Sequence, residues 1–171
     1  MATDDIPNDL LARQPERLVV TGFRCCMAGY DFGDSACWEA AWRSYIGELG
    51  SQSARSLMGE LQFFVRCIRL NTARPLCYFP QGCRYLCHDE CMALSALSAA
   101  QSGDCVAGCL AVRHLTGQHD PMSINEVWTA AQSFADALKA WGQPLYPVSA
   151  GVVESIAKMQ QLSKPSSETR H

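Results

Sequence analysis

Long apolar runs are missing from this chain. No stretch approaches eighteen consecutive apolar residues, so no membrane-crossing helix is expected. Strand-type alternation and hairpin signals are missing as well, which argues against a sheet. Charge is scarce: Asp, Glu, Lys and Arg make up 18% of the residues, below the usual quarter. The net charge of −3 gives none of the basic excess that phosphate neutralisation demands, so a nucleic-acid partner is not expected. The first residues, MATDDIPNDLLARQPERL, carry acids where a secretory leader has lysines, and no apolar segment follows them. A cytoplasmic location is the expectation. The chain also lacks a phosphate-binding G-x-x-x-x-G-K-[ST] loop, a dinucleotide glycine fingerprint, H-E-x-x-H and G-x-S-x-G.

What is present is helical pattern. With 171 residues, 48% of them apolar, the chain suits one domain with one core. Val19, Phe23, Cys26, Met27 and Tyr30 share one helical face between Glu16 and Tyr30. Gly33 ends that helix, and Asp34 or Ser35 caps a second over Ser35 to Leu49, with the stripe Trp38, Trp42, Tyr45 and Leu49. Ser51 or Ser53 is expected to cap a third, carrying Leu57, Leu61, Phe64, Val65 and Ile68. It should stop near Ala73, because Pro75 disfavours the helical conformation at Arg74.

An irregular segment follows to about Leu86. Cys87-His88-Asp89-Glu90 then reads as a capping box with cysteine in the usual serine position, opening a fourth helix over Asp89 to Gln101. Asp104 caps a fifth helix, Cys105 to His114. Ser123 with Glu126 reads as the capping box of a sixth, striped by Val127, Ala131, Phe134, Leu138 and Trp141. A seventh segment, Val148 to Leu162, uses Val152, Ile156 and Met159. The expectation is an all-α, single-domain bundle of six to seven amphipathic helices over residues 1–162, with a disordered polar tail at 163–171.

Ten cysteines are many for such a chain. In a helical protein with core to spare they suggest metal ligands, redox thiols or small buried hydrophobes before a disulfide framework. Cys77, Cys83, Cys87 and Cys91, spaced C-x5-C-x3-C-x3-C, form the candidate metal set for zinc or an iron–sulfur cluster, with His88 as a substitute ligand. Four thiolates complete a tetrahedral site, although the spacing matches neither the C-x2-C knuckle nor the usual ferredoxin runs. Cys87 or Cys91, near a helix N-terminus, is a candidate redox thiol, opposed by the charges of Asp89 and Glu90. Packing beneath a proline-rich loop accounts for the same cysteines without chemistry. Arg66, Arg69, Arg74 and Arg84 gather around the segment as an anion site or a solvated face.

The block from Leu57 to Asp104 contains an arginine-bearing apolar helix, R-P-L, P-x-G-C, C-x-D-E-C and an alanine-rich helix ending in A-A-Q. It resembles a segment of uncharacterised helical proteins of alphaproteobacteria. The resemblance implies a bacterial, cytoplasmic, helical protein and names no reaction. The functional expectation is an accessory or regulatory protein that acts through contacts with a protein partner or a second copy of itself. The alternatives are a zinc or iron–sulfur protein and a thiol redox enzyme.

Overall fold

A computed structural model describes residues 9–163. After a 3-10 turn at Leu10–Ala12 come α1 (Gln14–Phe32), α2 (Ser35–Leu49), α3 (Ser51–Asn71), α4 (His88–Ser102), α5 (Cys105–Thr116), α6 (Pro121–Ala140) and α7 (Ala150–Ser163). The described residues contain no strand, and the architecture is the expected all-α bundle. The tail expectation, residues 163–171, falls outside the described residues except at Ser163, which ends α7; residues 1–8 also lie outside them.

The centre of the bundle is α4. Met92 to Ala99 are buried without interruption, so this helix has no solvent face. Its alanines and serines are small enough for α1, α5, α6 and α7 all to pack against it. The other helices are one-sided. In α3 the expected stripe, Leu57, Leu61, Phe64, Val65 and Ile68, is wholly buried, and Phe64 meets Phe134 of α6 in a tilted ring pair. Two glycines set the closest approaches. A Cβ on Gly108 would fall inside the Trp128 ring, and one on Gly22 would collide with Leu61 and the Tyr45 hydroxyl. That hydroxyl, fully buried, donates to the Leu18 carbonyl at 2.7 Å.

Several local expectations are corrected. Neither Ser51 nor Ser53 caps α3: Gly50 alone, at φ 83°, separates α2 from α3, and the Ser53 hydroxyl turns back to the Leu49 carbonyl. The cap of α6 is Asp120, which accepts from the Ser123 N–H at 3.0 Å, and Pro121 occupies the first turn, where its missing N–H costs nothing. Glu126 instead accepts from Asn71 of α3. Tyr30 is half exposed because the flank of α1 carrying Leu18, Val20 and Cys25 is buried beside the expected stripe. The sequence argued against a disulfide framework, yet one bond joins Cys25 of α1 to Cys37 of α2.

Replacing Gly108 by alanine forces the Trp128 ring out of its place. The expected loss is about 1–3 kcal/mol in urea unfolding, with little loss at the exposed Gly59 as the control.

Candidate functional site

The first turn of α4 carries two adjacent carboxylates. Successive helical residues diverge by about 100°, so Asp89 and Glu90 reach different neighbours. Glu90 is paired with Arg24 of α1, through Nε at 2.6 Å and Nη2 at 3.0 Å. Both side chains are buried. Glu90 also accepts from the backbone N–H groups of Phe79 at 2.9 Å and Cys87 at 3.1 Å, the second completing the expected capping box. The remaining guanidinium donors of Arg24 go to the carbonyls of Cys83 at 2.8 Å and Tyr85 at 2.6 Å. One buried ion pair thus fixes both halves of the irregular segment by their backbone.

Asp89 makes the second clamp. It receives Arg74 Nη1 at 2.9 Å and Nη2 at 2.6 Å, the Cys77 N–H at 2.7 Å, and His88 Nδ1 at 2.9 Å. Burial disfavours its charge, but the hydrogen bonds from Arg74, His88 and Cys77 and the guanidinium charge outweigh it and hold the carboxyl down at about 2. Arg74 Nη2 also donates to the carbonyls of His114 and Leu115, closing the C-terminal end of α5 where a cation is favoured. His114 itself is held below the usual histidine range, by burial first and then by the neighbouring charges.

The thiols have quieter roles. Cys77 is exposed. Cys83 is half-buried and offers only its carbonyl to Arg24. Cys87 is buried, and its Sγ donates to the Cys77 carbonyl at 3.2 Å. Cys91 is half-buried one turn into α4. Among the described residues no group of three or more His, Cys, Asp or Glu side chains is placed to hold a metal ion. The four-thiolate set and its substitute His88 therefore have no assembled counterpart there. The physical reason is that arginines, not sulfurs, gather the segment. Burial pushes Cys91 up to about 11 and Cys26 up to about 12, and raises Cys87 as well, so the candidate redox thiols are poor thiolates. Of the expected arginine group, Arg74 is the clamp, and Arg69 pairs with Asp31 at 2.8 Å while lying over the Tyr30 ring.

Beside this clamp lies a cavity of about 470 Å³. One wall is α4, with His88, Cys91, Leu94, Ser95 and Ser98. The facing wall is α7, with Val152, Ile156 and Met159. The 3-10 turn adds Leu10 and Leu11, and the segment before α7 adds Leu145, Tyr146 and Val148. That segment is latched to α4: Ser98 donates to the Tyr146 carbonyl at 2.6 Å, and Gln101 takes the Leu145 N–H at 2.8 Å and gives to the Gln143 carbonyl at 3.0 Å. Glu16, buried beneath Arg13, takes the Tyr146 N–H at 2.6 Å. The expected stripe of α7 was Val152, Ile156 and Met159. All three line the cavity, while the core takes Val153 and Ala157. Sequence reading missed Arg24, Glu16, Ser98 and Gln101. For Gln101 a signal existed in the A-A-Q ending of the quoted block; for a lone arginine on an otherwise apolar helix face there was none.

No protein-family model, curated protein or solved structure matches this chain.

Two outcomes test the site. Asp89 is depressed in the folded state, so its contribution is fully present above the ordinary carboxylate value of 3.8 and disappears as pH falls towards about 2. Between pH 5 and pH 2 the wild type should lose about 2 kcal/mol more than Asp89→Asn in urea unfolding. In native alkylation with iodoacetamide at pH 7.5 read by peptide mass spectrometry, Cys77 and Cys105, both exposed, should react first, and Cys26, Cys87 and Cys91 last.

Proposed function

We propose that the protein is a binding protein that takes up a small, largely apolar molecule between α4 and α7. The observation that carries this reading is the cavity itself. Its volume of about 470 Å³ falls in the ordinary range for ligand sites, and leucine, valine, isoleucine and methionine make up nine of its nineteen lining residues. Support comes from its construction. Hydrogen-bonded latches hold the segment that closes it, from Ser98 and Gln101 on α4 and from Glu16 on α1. Binding without catalysis fits the thiols, which burial holds above their usual range.

The accessory reading, in which the protein acts by docking on another protein, has its own support. Phe32, Leu70, Val106 and Met122 are each more than 70% exposed, which is costly for a chain with so little charge.

The two readings separate with a neutral environment-sensitive dye, N-phenyl-1-naphthylamine. Saturable fluorescence enhancement is expected, abolished by Val152→Trp, which fills the cavity from its half-buried α7 wall, with the helical circular dichroism unchanged. Dye binding that Val152→Trp leaves intact would sink the cavity reading and favour the exposed faces.

A further inference from the structure

Two free cysteines of the irregular segment are set against each other. The Cys87 Sγ donates to the Cys77 carbonyl at 3.2 Å, and the Cys77 side chain is itself a hydrogen-bonding neighbour of that thiol. Cys77 is exposed, so a reagent can reach it and its side chain has room to turn; Cys87 is buried behind it. Both backbones are pinned to the same turn of α4. The Cys77 N–H is held by Asp89 at 2.7 Å and the Cys87 N–H by Glu90 at 3.1 Å. The fold therefore holds the pair together before any reaction begins. Arg74, which grips Asp89, also lies within charge range of both sulfurs. Cys105 and Cys109 make an instructive contrast. They stand one turn apart on α5, where a helix keeps Cβ atoms about 5–6 Å apart, beyond the roughly 3.5–4.5 Å that a disulfide spans.

Independently of the cavity reading, we propose that Cys77 and Cys87 form a reversible thiol–disulfide site, oxidised to an intramolecular bond by a low-molecular-weight disulfide of the glutathione class. Cys77 is the entry thiol. It gives its proton to solvent and attacks one sulfur of the small disulfide; the mixed disulfide forms, the small disulfide breaks, and one thiolate leaves. Cys87 then gives its proton to water and attacks the Cys77 sulfur, which forms the protein bond and expels the second thiolate. The pair loses two electrons, and the small disulfide gains them as two thiols. The order follows from the surroundings. Burial, and after it the charges of Glu90 and Cys77, raise the Cys87 thiol, so Cys87 acts second, when the Cys77 charge is gone. The Arg74 guanidinium favours the negative charge that passes between the sulfurs.

The test treats the native protein with excess oxidised glutathione, quenches with N-ethylmaleimide, and maps the unreduced peptides by mass spectrometry. In the wild type the Cys77–Cys87 bond should exceed the Cys77–glutathione adduct at least about tenfold, because the second exchange is intramolecular. In Cys87→Ser, where serine is the customary helix cap, Cys77 should instead retain glutathione, with the helical circular dichroism unchanged. Dithiothreitol should return both thiols. Glutathione retained on Cys77 of the wild type would overturn the pairing, and so would a bond from Cys77 to Cys83 or Cys91. A Cys77 left unmodified would remove it as the entry thiol. A bond that dithiothreitol does not open would overturn reversibility. Because bond and adduct are distinguished in the wild type, the proposal is decided even if the variant does not fold.

Discussion

Two consecutive carboxylates at the start of α4 organise the structure around them. Residues 72–87 form no helix, and their backbone needs partners that a regular element would otherwise provide. Asp89 and Glu90 supply them. Between them they take the N–H groups of Cys77, Phe79 and Cys87, and through Arg24 they bind the carbonyls of Cys83 and Tyr85. Their positions in the helical turn send one towards α1 and the other towards the end of α5. The acids are also where a helix dipole favours them, so local and tertiary electrostatics agree. A buried ion pair is weak evidence for stability as such, since apolar residues of like volume often do as well. Here its value lies in geometry: a bidentate arginine–carboxylate pair fixes direction, and two of them fix the path of an otherwise irregular chain.

The same doublet also orients a residue of the cavity wall. His88 precedes Asp89 and is drawn to it through Nδ1, which leaves Nε2 as the unused end of the ring. The segment before α7 is attached to α4 by polar latches, α7 packs on the core through Val153 and Ala157, and the cavity lies between them and α4. Ser98 and Gln101 belong to the helix that also carries His88 and Cys91. One helix therefore sits at the centre of the core, holds the irregular segment at its first turn, and forms a cavity wall along one side.

Much of this fold could be read from the sequence, and for identifiable reasons. The stripe of α3, the capping box at Cys87 and the caps Asp34 and Asp104 depend on residues within one or two turns of each other, and all are found. Where the reading failed, a distant partner decided the matter. Glu126 satisfies the spacing of a capping box with Ser123, but Asn71 of α3 takes its carboxylate and Asp120 does the capping. The Cys25–Cys37 bond and the Arg24–Glu90 pair join α1 to residues that no periodicity relates to it. The α7 stripe was recognised as apolar, but whether an apolar face meets a core or a cavity depends on what lies opposite.

The cysteines show the same limit most clearly. Four thiols in fifteen residues attract attention because sulfur is rare and reactive, while Asp89 and Glu90 read only as the local features of a helix start and as charges opposed to a reactive thiol. In the structure the emphasis is reversed. The carboxylates hold the segment, and the sulfurs fill the space beside them: Cys87 at the helix cap, Cys91 in the cavity wall, Cys77 at the surface. Burial and the Glu90 charge both act against ionisation of Cys87 and Cys91, so the groups that build the clamp also quiet the thiols within it. A helix start that would otherwise favour a reactive thiolate is thereby made into a scaffold, and the side chain it leaves with spare hydrogen-bonding capacity is a histidine.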